Sequence, residues 1–167
     1  MASPGFSWGS KVRQFRSHLG AQVRPDERAA LVGWLTPAQL DLFDGMHVAD
    51  QRHGLDVVAT LRSSGTTDAE LLLAGLLHDC AKGPTVGVLP RVAWSLGEAW
   101  GSWVVRLARW LPGFGGALDR LRDHAELSAL MALEAGCSAR TAGLIRHQAD
   151  PIEPAAGELL RLADEAN

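Results

Sequence analysis

Apolar residues recur along this chain at helical spacing, three or four positions apart, and no segment alternates with the two-residue period of a half-buried strand. The densest run is Leu71, Leu72, Leu73, Ala74, Gly75, Leu76 and Leu77. It is apolar on nearly every side, the pattern of a helix buried in a core. Thr67 with Glu70 reads as its capping box, and Gly83 followed by Pro84 as its stop. Upstream, the pattern predicts a short helix over 11–19 and a second from Pro25 to about Leu35. Thr36-Pro37 opens a third, interrupted near Gly45, and a longer helix over 47–63 carries Val57, Val58 and Leu61 as its core stripe. Downstream lies a long segment over 89–111 whose seam is Leu96, Trp100, Trp103, Val104, Leu107, Trp110 and Leu111, broken by Pro112-Gly113. Helices over 118–135, 139–149 and 154–165 complete the chain. In the last, Leu159, Leu160 and Ala163 are expected on the buried side, with Leu162 partly covered. The expected fold is all-α, a single-domain helical bundle over 1–167, with 1–46 as an N-terminal helical extension that starts in a loose tail.

Composition narrows the class. A length of 167 residues suffices for a core without disulfides or structural metal. A formal net charge of −3 carries no basic footprint, which argues against bulk nucleic acid as partner. Glu98 and Arg106 interrupt the only apolar stretch approaching the ~18 residues of a membrane span. Cys80 and Cys137 make no disulfide framework, and the N-terminus has no leader-like apolar run, so a cytoplasmic location is expected.

The buried helix also carries chemistry. After its last leucine come His78, Asp79 and Lys82, an imidazole, a carboxylate and an ammonium within one turn. Burying such groups is costly unless they are compensated, and a metal cation is the simplest compensator. Lys82 is one of only two lysines (the other is Lys11) among 16 basic residues, a detail that draws attention to it. Other segments offer ligands to the same spot. His53 lies four residues before Val57 on the core stripe; His124 and His147 follow apolar helix positions at Leu121 and Leu144; and Asp164 shares a face with Leu160. Imidazoles and carboxylates suit one or two ions of Fe, Mn, Zn or Mg, and Asp79 has two oxygens with which to bridge a pair.

The order of these residues resembles the HD-domain superfamily of metal-dependent phosphohydrolases, an all-helical family. Arg52-His53-Gly54-Leu55 is similar to its first motif. The run from Gly75 through His78-Asp79 to Lys82 is similar to its second, and Leu162-Ala163-Asp164 to its last. The resemblance covers about residues 50–164 and implies that His53, His78, Asp79 and Asp164 hold one ion, with Asp79 bridging to a second ion on His124 and His147. It implies hydrolysis of a phosphate ester or anhydride, with nucleotides among the candidate substrates and with Asp79 and Lys82 catalytic. The same six ligands resemble a di-iron oxygenase on the same fold, and a regulatory module that keeps the site without turnover is a third reading.

The remaining polar candidates have plainer readings. His18 and His47 are ordinary histidines, Cys80 is a small buried hydrophobe, and Arg52, Arg146 and Asp150 are solvated charges. Lys82 divides evenly between stabilising a phosphate and complementing the helix end. Residues 92–111 read first as core; the alternatives are an aromatic wall over a substrate, a homodimer face, or a helix lying on a membrane surface.

Overall fold

The computed structural model describes residues 21–83, 86 and 88–167, so the expected helix over 11–19, His18 and the stop at Pro84 lie outside the described residues. Every regular element among the described residues is helical, and they form a single helical domain. They are α1 (Pro25–Val32), α2 (Pro37–Asp44), α3 (Val48–Ser63), α4 (Ala69–Leu77), a 3₁₀ turn (Cys80–Lys82), α5 (Val88–Trp100), α6 (Ser102–Ala108), α7 (Phe114–Glu134), α8 (Ala139–Arg146) and α9 (Pro154–Ala166).

Helix α4 is the hub, packed against α3, α8 and α9. Its Leu71, Leu76 and Leu77 are fully buried with Val57 and Leu61 of α3, Ile145 of α8 and Leu160 of α9. Leu31, Leu35, Phe43 and Met46 from the α1–α2 region join the same core. Capping explains several boundaries. The Thr36 hydroxyl accepts from the Gln39 N–H, as its sequence position suggested. His47 begins no helix turn of its own: its Nδ1 accepts from the Ala49 N–H and caps α3. The start of α4 differs from expectation, because Asp68 Oδ1 accepts from Glu70 and Leu71 N–H and takes the cap expected at Thr67.

Three differences bear on function. Helix α4 stops at Leu77, so His78 and Asp79 sit in the turn between it and the 3₁₀ turn rather than inside a helix. The segment expected as one helix over 89–111 is broken at Gly101, whose φ of 105° a residue with a Cβ rarely adopts. Much of its seam is also exposed: Trp100, Trp103, Leu107, Trp110 and Leu111 face outward, so it is not core. Leu159, expected buried, is exposed as well, since the inward stripe of α9 runs through Ala156, Leu160 and Ala163.

Helices α3 and α4 cross at Gly54. A Cβ there would lie 2.4 Å from the Leu76 carbonyl oxygen, nearer than atoms can approach. Gly54 follows His53, and Leu76 is two residues before His78, so this close crossing is what brings the two imidazoles together. Gly54→Ala is expected to cost about 1–3 kcal/mol through overpacking, against the roughly 1 kcal/mol alanine gains from helix propensity. Urea denaturation measures it; a stabilised variant would contradict the crossing.

Candidate metal centre

Each imidazole of the cluster is oriented by a backbone group or a carboxylate. His78 donates from Nδ1 to the Gly75 carbonyl at 2.9 Å, which turns Nε2 inward. That nitrogen is buried with no hydrogen-bond partner, 3.4 Å from Asp164 Oδ1 and 3.6 Å from Asp79 Oδ2. His53 approaches from α3, its Nε2 2.7 Å from Asp164 Oδ1 and its ring edge-on to His78 at a centroid distance of 5.2 Å. Ligand atoms of His53, His78 and Asp79 all lie within 4.8 Å of one another. Asp164 comes from the last turn of α9, which is docked on the core through Leu160 and Ala163.

The other half of the site belongs to Asp79 and His124. Asp79 Oδ2 accepts from the Lys82 ammonium, while Oδ1 faces His124 Nε2 at 3.6 Å. His124 donates from Nδ1 to the Leu121 carbonyl at 2.6 Å, leaving Nε2 as the acceptor atom. The Gln148 amide nitrogen reaches that atom at 3.2 Å, and Gln148 Oε1 is buried without a partner.

Electrostatics follow from this packing. Burial works to lower the His78 pKa, but the facing Asp79 and Asp164 carboxylates outweigh it and raise it to about 9. Burial pushes Asp79 and Asp164 up, and the surrounding cationic groups prevail and hold both well below the usual carboxylate range. For Lys82 burial is likewise overcome, by Asp79 and Asp50, and its pKa is raised. His124 is shifted the other way, with burial as the main cause, and so favours the neutral form. Burial pushes the Cys80 thiol up to about 12, in keeping with a buried, unreactive side chain.

The donor set fits a cation. Two carboxylates face one ammonium, and the buried His78 Nε2, which has no hydrogen-bond partner, lies between the carboxylates, where a cation could take the place of the proton they favour on it. His53, His78 and Asp79 form the group that could hold an ion, with the Asp164 carboxylate beside both imidazoles.

His147 stands apart. Helix α8 ends at Arg146, three residues short of the expected end, and His147 caps it with φ −104° and ψ 25°. Its N–H still bonds the Gly143 carbonyl, the backbone leaves the helical path after it, and His147 lines a groove with Arg140, Leu144 and Pro151. It makes no hydrogen bond or ion pair with the cluster among the described residues, and Gln148 takes the inward position instead. Asp150 is exposed, Arg146 pairs with Glu126, and Arg52 bridges Glu27 and Asp56.

Sequence reasoning also missed a buried ion pair. Asp50, fully buried at the start of α3, receives two hydrogen bonds of 2.7 Å from the Arg91 guanidinium of α5. Arg91 Nε donates in addition to the Val86 carbonyl, so the tryptophan-rich segment is clamped to the wall of the site. The available signal was the position of Asp50 one turn before His53, on the same inward face.

No protein-family model, curated protein or solved structure matches this chain.

Proposed function

We propose that the protein is a metal-dependent phosphohydrolase of the HD-domain kind, acting on a phosphate ester or anhydride through one divalent ion held by His53, His78, Asp79 and Asp164. The observation that carries this reading is the buried, unpartnered His78 Nε2 set between two carboxylates, with the His53 imidazole alongside. When bound, such an ion supplies Lewis acidity to a phosphoryl oxygen. Lys82, fixed by Asp79, places a positive charge beside the charge that develops on phosphate. In this reading His124, its ring held by the Leu121 carbonyl, takes a proton at Nε2 from an attacking water that displaces the Gln148 amide from that atom.

That His147 lines a groove and makes no hydrogen bond or ion pair with the cluster among the described residues favours one ion over two in this reading. The test is metal content after chelator-free purification, followed by phosphate release from nucleotides, dinucleoside polyphosphates and simple phosphomonoesters. The expected result is about one ion per chain, lost in His53→Ala and kept in His147→Ala, with hydrolysis that depends on it. Two ions released by changing His147 would restore the dinuclear reading. Turnover that requires dioxygen would replace hydrolase by oxygenase, and metal without turnover would make the protein a binding module.

A further inference from the structure

Helix α6 presents apolar residues on both sides. Its inner side packs on α5 so closely that a Cβ on Gly97 would lie 2.3 Å from Val105 Cγ2. Its outer side should then be polar, as in an ordinary surface helix. Instead Trp103, Leu107, Trp110 and Leu111 occupy it at i, i+4, i+7 and i+8, and helical winding continues past Ala108 through the Trp110 N–H to Leu107 and Leu111 N–H to Ala108 bonds. All four are more than half exposed, and Trp110 reaches 87 %. The Trp103 indole N–H is satisfied by the Trp100 carbonyl at 2.9 Å, which leaves a flat apolar ring at the surface.

Charge indicates the kind of surface that fits. No acidic residue occurs between Glu98 and Asp119, and over 98–123 Arg106, Arg109, Arg120 and Arg122 stand against Glu98, Asp119 and Asp123, with Arg122 paired to both aspartates, in a chain whose formal net charge is −3. Arg109 spends its charge on Asp119, tying the base of α6 to α7, whereas exposed Arg106 on the outer helix makes no ion pair among the described residues.

We propose that the α5–α6 edge seats the protein on an anionic lipid surface, with Trp103, Leu107, Trp110 and Leu111 entering the headgroup boundary and Arg106 meeting lipid phosphate. Tryptophan favours that boundary because its ring is apolar while its N–H is polar, and arginine adds attraction to anionic headgroups. A second copy of the chain fits less well, since a two-fold contact through this edge would bring each Arg106 towards its own counterpart. The proposal is independent of what the metal centre does.

The experiment is vesicle flotation of the full chain, with tryptophan emission read in parallel. Phosphatidylcholine vesicles containing about one third phosphatidylglycerol are compared with pure phosphatidylcholine. The protein is expected to float with the anionic vesicles at low salt, with a blue-shifted emission, and about tenfold less with neutral ones. The double variant L107S/W110S is expected to lose about tenfold in binding, and R106Q to lose the preference for anionic lipid. Both side chains of the double variant are exposed, and an unchanged circular dichroism spectrum and unfolding midpoint confirm that it folds. No flotation, or flotation unaffected by the double variant, would overturn the proposal. So would a concentration-dependent dimer that the double variant breaks, which would assign the edge to a second copy.

Discussion

Asp79→Asn is expected to abolish both metal retention and phosphate release while leaving the fold assembled. The substitution keeps the shape of the side chain and removes its charge. In the native protein Asp79 is buried, with one oxygen on Lys82 and the other facing His124 and with His78 beside it. A neutral amide cannot replace that charge for a cation, and it leaves Lys82 without its carboxylate. Lys82 is only half-buried, so the unpaired ammonium keeps contact with water and the fold is expected to survive the loss. The sharpest readout is ligand-induced stabilisation. At a metal concentration of about 100 times Kd, wild type should gain roughly 2.7 kcal/mol of stability, and the variant should gain nothing. Thermal unfolding with and without added Mn, Fe, Zn or Mg measures this alongside turnover. A variant that keeps the metal-induced shift, or that still hydrolyses phosphate esters, would remove Asp79 from the centre of the site.

Arg91→Ala is expected to be the most damaging single change to stability. It strands the Asp50 carboxylate, which is fully buried and bound by both arms of the guanidinium. Breaking a buried pair by removing one partner costs about 3–5 kcal/mol, since the remaining charge has neither water nor partner. For a domain of this size that lowers Tm by roughly 10 °C. Asp50→Asn combined with Arg91→Gln, which removes both charges, should be milder than Arg91→Ala alone, and a double-mutant cycle would expose the coupling. Additive losses at the two positions would mean that the pair is not a unit. The pair also joins α5 to the wall of the site, and Asp50 is among the groups that raise the Lys82 pKa. Its loss should therefore loosen both the tryptophan-rich segment and the environment of Lys82.

The candidate centre was legible where ligand position depended on local helical phase. His53 lies on the Val57–Leu61 stripe of α3, and Asp164 on the Leu160 stripe of α9, so both could be placed inward from spacing alone. His78 and Asp79 announced themselves as polar groups ending an apolar run. His147 was misplaced by a different cause. It is the last residue that the winding of α8 positions, its N–H still bonded to the Gly143 carbonyl, and the chain turns after it so that Gln148 reaches His124. Helix ends depend on competing caps and on how the next segment packs, and a single sequence specifies those weakly.

The tryptophan-rich segment shows the same limit at a larger scale. Its apolar residues do follow helical spacing, which records that a face is apolar but not what covers it. Whether α5 and α6 bury that face or leave it outward depends on the break at Gly101 and on the Arg91–Asp50 clamp, which joins residues 41 positions apart. By itself, the sequence determined the all-helical class, the buried hub at 71–77 and the inward faces on which His53, His124 and Asp164 lie, because each arises from periodicity within one helix. Only the tertiary structure decided that His147 stands outside, that Asp50 and Gln148 stand inside, and that an apolar edge is left exposed. Those outcomes arise where separate helices meet, and the spacing of residues along one helix carries no information about the next.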